Sequence, residues 1–206
     1  MYIEMTVQEF LDKLASASPA PGGGSVSALA GSIAASLAAM VARFTAGGSG
    51  GEDEVVQGNL AEAIRLQNLL QQDVEADTAA YNRVVAAYRL PRESAAQKEE
   101  RSCAIQEALQ EATRLPLQVA QRSLEVLRLC RWAVAEGNPN TWSDAYVAAL
   151  MAQSGIEGAL ANVAINLGQI KEAAFKEEMK AQAAQIRREA KLLQEEISAQ
   201  LRDRLV

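Results

Sequence analysis

Apolar positions recur at helical spacing through most of the chain, and no segment sustains the period-two alternation of a half-buried strand. Thr6-Val-Gln-Glu9 is a capping box that opens a first helix with Val7, Phe10, Leu11 and Leu14 on one face. Ser16–Gly24, with Pro19, Pro21 and three successive glycines, breaks it. The second helix is expected from about Ser25 to Thr45. Its large residues Val26, Leu29, Ile33, Leu37, Met40 and Phe44 form one stripe. Two further rows hold only small residues: Ala30, Ala34, Ala38 and Ala42, and then Ser27, Gly31, Ala35 and Ala39. Small rows let neighbouring backbones approach closely, so the pattern predicts a helix buried on most sides.

Gly47–Gly51 reads as a flexible break, and a long helix follows from about Asp53 towards Arg89, ended by Leu90-Pro91. Ser94-Ala-Ala-Gln97 is a second capping box. Pro116 is expected to kink or divide the helix that it opens, and Gly137-Asn-Pro-Asn140 to turn the chain. Thr141 or Ser143 can cap a helix that continues through Ala145–Leu167. From Lys171 the chain becomes an amphipathic terminal helix with Ile186, Leu193, Ile197 and Leu201 on its apolar stripe, which a partner or a second subunit is expected to cover. The whole chain, residues 1–206, reads as a single all-α domain, an antiparallel multi-helix bundle with long helices and no sheet.

Composition narrows the chemistry. Aromatics are 4% of the 206 residues, so the core must be built from small and aliphatic side chains that pack helices closely. The net charge of −6 disfavours nucleic acid and anionic membrane as partners. Cys103 and Cys130 lack metal-ligand spacing, which fits a reducing, cytoplasmic setting. The first ten residues lack the pattern of a secretory signal, and Val26–Val41 is too short and too rich in small residues for a spanning helix. There is no histidine. Ser-His-Asp, Cys-His and histidine-base mechanisms are therefore excluded, and proton transfer falls to Asp, Glu, Lys, Tyr, Cys or water.

Five places can carry chemistry. Pro19–Ser25 combines glycines, which admit unusual backbone shapes and close approach, with a helix start suited to an anionic group; it also reads as a simple capped turn. Asp73 and Asp77 lie one turn apart on the face of Tyr81, either as an acid–base pair or as a solvated face. Arg89, Arg92, Lys98 and Arg101 surround the Leu90-Pro91 break, where cations complement a helix end or hold carboxylates. Asp144 begins a later helix. Asn162 and Asn166 share one face of an apolar helix and must either bond to a neighbouring helix or face a polar pocket.

Together these segments resemble a known family. Pro21-Gly-Gly-Gly-Ser-Val-Ser-Ala-Leu-Ala-Gly31 looks like the signature of the cyclodeaminase domain of formiminotransferase-cyclodeaminase and of the related stand-alone methenyltetrahydrofolate cyclohydrolases. Further matches follow in order: Asp77 through Tyr81, Ala87-Tyr-Arg-Leu-Pro91, Arg101 with Ala104-Ile-Gln106, Pro116-Leu117, Gly137-Asn138, Ser143-Asp144 with Val147–Ala149, and Asn162-Val163 with Ile165–Leu167.

The resemblance implies an all-helical homodimer acting on a tetrahydrofolate derivative as substrate, with no metal and no prosthetic group. The implied reaction is 5-formiminotetrahydrofolate cyclodeamination, with methenyltetrahydrofolate hydrolysis as the alternative and a non-catalytic helical interaction protein as a third reading. The implied catalytic residues are Asp77 and Asp144. The implied substrate contacts are Gly22, Gly23, Gly24, Ser25, Tyr81, Arg92, Lys98, Arg101, Asn162 and Asn166. One departure stands out: Gly47-Gly-Ser-Gly-Gly51 replaces the lysine-rich segment expected after the second helix.

Overall fold

In the computed structural model, which describes residues 1–47 and 53–205, the chain folds into six α-helices. They are α1 (Val7–Leu14), α2 (Gly23–Ala46), α3 (Glu54–Tyr88), α4 (Ala95–Glu136), α5 (Trp142–Leu167) and α6 (Ala173–Gln200). Short 3-10 turns precede α1 and α5. Among the described residues there is no strand.

Both capping boxes form. Thr6 Oγ1 accepts from Glu9 N–H while Glu9 accepts from Thr6 N–H, and Ser94 and Gln97 repeat the exchange. The Gly47–Gly51 break lies almost wholly outside the described residues. Pro116 does not divide its segment, since α4 runs unbroken for 42 residues, about 63 Å at 1.5 Å per residue. A proline at that point removes the N–H that would bond the carbonyl of Ala112. Asn166 of α5 replaces it, Nδ2 donating to Ala112 O at 2.7 Å.

Long-range contacts fix the topology. Ser25 meets Val74 and Asp77 while Ser32 meets Gln67, so α2 and α3 are antiparallel. Arg65 with Glu125 and Arg83 with Glu111 set α3 against α4 in the same sense. Gln106 with Gln169 and Ala112 with Asn166 do so for α4 and α5, while Gln121 with Gln182 and Arg128 with Glu189 set α6 parallel to α4. Alternate helices are thus parallel: α2, α4 and α6 run one way, α3 and α5 the other.

At the centre, the small rows of α2 enter the bundle. Ala28, Ala34, Ala35, Ala38 and Ala39 are buried, and Gly31 lies against Ser123 of α4 and Leu70 of α3. Gly155 of α5 lies against Ser27 and Gly31, and Gly158 against Ser27. A side chain at Gly155 would press on the backbone of α2, and one at Gly31 or Gly158 would force the facing serine to move.

Helix α2 is buried on most sides, as its pattern predicts, and it is the small rows rather than the large stripe that face inward. Val26, Leu29, Leu37 and Met40 are only half-buried, while Ile33 and Phe44 are exposed. By length and apolarity α2 equals a membrane-spanning segment, contrary to the estimate from Val26–Val41, but two-thirds of its most apolar 18-residue stretch is buried in the bundle. A second correction concerns α6. Phe175, Met179, Ile186, Leu193 and Ile197 are buried against α4 and α5 of the same chain, so no partner is needed to cover that stripe.

Candidate active site

The up-and-down topology brings the start of α2, the last third of α3, the first half of α4 and the end of α5 to one end of the bundle. They enclose a cavity of about 280 Å³. Gly22, Gly23 and Gly24 form one wall, Asp77, Thr78 and Tyr81 of α3 a second, and Asn162 and Asn166 of α5 a third.

Helix α2 begins two residues earlier than expected, at Gly23, with Gly22 as an N-cap that offers no side-chain acceptor. The glycines are not there for unusual backbone shapes, because no described glycine has a positive φ. Close approach explains them. A Cβ at Gly24 would collide with the Asp77 carboxylate, whereas one at Gly23 would make ordinary contact, 3.5 Å from Asn162 Nδ2. Glycine at 24 therefore lets a carboxylate lie directly on the first turn of α2.

Asp77 is half-buried there. Ser25 Oγ donates to its Oδ2 at 2.9 Å, and the same hydroxyl lies 3.1 Å from Val74 O. Burial pushes the Asp77 carboxyl above its ordinary value, opposed by hydrogen bonds from the Ser25 side chain and backbone. Asp73 is not its partner in chemistry: it is buried one turn away in an ion pair with Arg122 of α4.

Asn162 Nδ2 donates to Gly158 O of its own helix, and Asn166 Nδ2 donates to Ala112 O. Asn166 therefore does both things read from the sequence, bonding to a neighbouring helix and lining the cavity, whereas Asn162 lines the cavity and bonds only within its own helix. A carbonyl only accepts, so each amide turns one N–H towards the backbone, which leaves its Oδ1 as an acceptor and its second N–H as a donor. The cavity wall thus offers both acceptors and donors.

Other expected residues lie elsewhere. Asp144 is in the first turn of α5, eighteen residues from Asn162, about 27 Å along the axis. It belongs to the opposite end of the bundle, where Asn138 bonds to Thr45 and Phe44 at the end of α2. Arg92 and Lys98 are exposed and line no part of the cavity. Arg101 is engaged locally. It donates to Tyr88 O at 3.0 Å and lies over the Tyr88 ring at 5.6 Å, closing the end of α3.

The sequence reading passed over Thr78 and Gln169. Thr78 Oγ1 lies buried in the wall beside Asp77 without a hydrogen-bond partner, and nothing in the sequence distinguishes it. Gln169, just past α5, accepts from Tyr88 Oη and lines the cavity. Neither cysteine contributes: Cys130 is fully buried, its thiol pushed up to about 12, and Cys103 lies outside the cavity. Among the described residues no group of three His, Cys, Asp or Glu side chains is placed to hold a metal.

The chain is similar to known proteins in sequence and in fold. The family model described as formiminotransferase-cyclodeaminase matches residues 6–185. The methenyltetrahydrofolate cyclohydrolase of Methylorubrum extorquens is 35% identical over 196 residues, covering 93% of each chain. The formimidoyltransferase-cyclodeaminase of Rattus norvegicus is 30% identical over 92% of this chain, which spans only 35% of that longer protein. The crystal structure of formiminotetrahydrofolate cyclodeaminase from Thermotoga maritima superposes with a TM-score of 0.88 at 25% identity, covering 98% of both chains.

Proposed function

We propose a reaction from one premise: this chain belongs to the formiminotransferase-cyclodeaminase family. The cavity at the start of α2 turns over the one-carbon unit carried between N5 and N10 of tetrahydrofolate. The observation that carries this reading is the Asp77 carboxylate, half-buried on the glycine turn and held by Ser25.

The first reading is the cyclodeaminase reaction, supported by a solved relative of that name with the same fold over the full chain. With the formimino group entering as its cation, N10 attacks the formimino carbon and the C=N electron pair moves to nitrogen. Asp77 takes the proton from N10 and hands it to that nitrogen. Ammonia then leaves with its bonding pair, and the N5 lone pair closes the methenyl bridge. Charge balances, with one cation in and one cation out.

The cyclohydrolase reaction is the second reading, favoured by the 35% identity to a cyclohydrolase of matching length. Water attacks the methenyl carbon and gives a proton to Asp77. That proton passes to N5 as the C–N5 bond breaks, and the hydroxyl proton leaves as the C=O of 10-formyltetrahydrofolate forms. Either route needs one carboxylate that both takes and returns a proton, and burial that raises its pKa suits it to both steps.

The assay follows the methenyltetrahydrofolate absorbance in two arms. Its growth from 5-formiminotetrahydrofolate identifies the cyclodeaminase, and an enzyme-dependent decay from methenyltetrahydrofolate identifies the cyclohydrolase. No enzyme-dependent change in either arm sinks the functional reading.

We also propose that the active species is a soluble, cytoplasmic homodimer. Its support is the outward stripe of α2, with Ile33 41% and Phe44 56% exposed, continuous with an apolar groove of about 420 Å³ against α1 that includes Phe10, Leu11 and Val26. Contiguous apolar surface on this scale marks an association site. Sedimentation at micromolar concentration is expected to give a dimer, and Ile33→Glu a monomer. A parent protein that sediments as a monomer refutes the assembly.

A further inference from the structure

The cavity continues into an open groove of about 640 Å³ along α3, the two sharing Pro19 and Tyr81 in their walls. Asp77 lines the cavity, Tyr81 the junction, and Val85 and Arg89 the groove. These four are spaced by four residues, a single ridge on the surface of an α-helix. Their chemistry changes in order: a carboxylate, an exposed aromatic ring, an aliphatic side chain, then a cation at the C-terminal end of α3.

We infer that this ridge reads the substrate end to end, and that Arg89 is the specificity residue that binds the carboxylates of its glutamate tail. The inference rests on the functional reading above, which puts N5 and N10 at Asp77. The pterin then faces the amides of Asn162 and Asn166, which offer both acceptors and donors to its N–H groups and ring nitrogens. The aminobenzoyl ring leaves past Tyr81, and the glutamate follows the groove.

The lengths agree. Twelve residues separate Asp77 from Arg89, about 18 Å along the axis. The tail from N10 to its carboxylates spans roughly 11 Å by ordinary bond lengths, and an arginine side chain reaching back spans roughly another 6 Å. Of the cations around the Leu90-Pro91 break, Arg89 is the one that lines the groove. Among the described residues no carboxylate pairs with it, whereas the Arg101 guanidinium is already committed to the Tyr88 carbonyl and ring. An unpaired guanidinium at the end of an open groove suits a carboxylate, which it can grip through two parallel N–H donors.

The test compares the substrate that the assay identifies with its tetrahydropteroate counterpart, which lacks the glutamate. For the parent enzyme, removal of the glutamate is expected to raise KM by about tenfold or more, the loss of one charge-assisted contact. Arg89→Ala is expected to raise KM for the glutamate-bearing form by a similar factor, to leave KM for the pteroate form unchanged, and to hold kcat within about twofold, as loss of uniform binding requires. Arg89→Lys should recover part of the loss, and Arg89→Gln serves if the alanine variant does not fold.

A parent enzyme indifferent to the glutamate overturns the inference and leaves the functional reading standing. So does an Arg89 variant that raises both KM values equally, or neither. A parent enzyme that turns over neither form removes the functional reading, and this inference with it.

Discussion

Asp77→Asn is expected to abolish turnover while leaving the protein at least as stable as the parent at neutral pH. Asparagine nearly preserves the shape of the side chain, and its Oδ1 can still accept from Ser25. It cannot take a proton from N10 or water and give it back. Loss of a general acid–base group typically costs about 10²–10⁴ in rate, and with no histidine in the chain no neighbouring imidazole can take over. A variant that folds, binds the folate and turns over at the parent rate removes Asp77 from the mechanism.

The stability half of that expectation follows from the direction of the pKa shift. Burial raises the Asp77 carboxyl in the folded protein above its unfolded value. The folded state therefore holds the proton more tightly. Stabilisation from protonation is fully present below the unfolded pKa and is lost as pH rises through the raised folded pKa. At neutral pH the parent carries a half-buried negative charge that the asparagine variant lacks. The melting temperature of Asp77→Asn is thus expected to equal or exceed that of the parent at pH 7, with the difference shrinking on acidification. Activity that depends on ionised Asp77 should fall as pH drops through the same raised pKa, which a pH profile of kcat/KM reads directly. A functional site whose conversion to an inert residue stabilises the fold has been kept for its chemistry.

The helices were legible in the sequence because their signals are local. The capping boxes at Thr6–Glu9 and Ser94–Gln97 need only four residues, and the reciprocal bonds form as the residue types imply. What faces what was less legible. The large stripe and the small rows of α2 share one period, so spacing cannot say which side enters the bundle. Contact with α3, α4 and α5 at once decides it, because only alanine, serine and glycine let three helices approach one.

The candidate site divides in the same way. The structure brings Gly24, Ser25 and Asp77 together, and a glycine turn with a carboxylate one helix later carries its own physical reasons. Asp144 lies apart from Asp77, and spacing does not show this because its end of the bundle follows from topology. In an up-and-down bundle α5 runs opposite to α2, so the start of α5 must lie at the far end of α2, where Thr45 and Asn138 meet. Asn166 had a readable cue that spacing alone hides. Pro116 strips Ala112 of its helical donor, so some side chain must replace it. Arg89 sits four residues past Val85 on the ridge of Asp77 and Tyr81, but its use depends on a groove that no single helix contains.

Gly24→Ala is expected to be as damaging as loss of the carboxylate, by a route that separates position from proton transfer. The new methyl would occupy the space of the Asp77 carboxyl oxygens, with buried Ser25 as its chain neighbour leaving little room to yield. Either Asp77 swings out, losing the Ser25 hydrogen bond, or α2 and α3 separate. Overpacking of this kind costs about 1–3 kcal/mol, which for a chain of this length lowers Tm by roughly 2–10 °C. Displacing a reacting group by about 1 Å can alone remove some 10² in rate. Gly23→Ala is the control, because its added methyl meets Asn162 at an ordinary 3.5 Å and should change stability little. The double variant Gly24→Ala with Asp77→Ala then tests the cause. Once the carboxylate is gone the methyl has room, so the melting temperature should recover relative to Gly24→Ala while activity stays absent, a coupling of the sign expected for residues in direct contact. If the double variant is instead destabilised by the sum of its parts, the glycine at 24 is kept for some reason other than the seat it makes for Asp77.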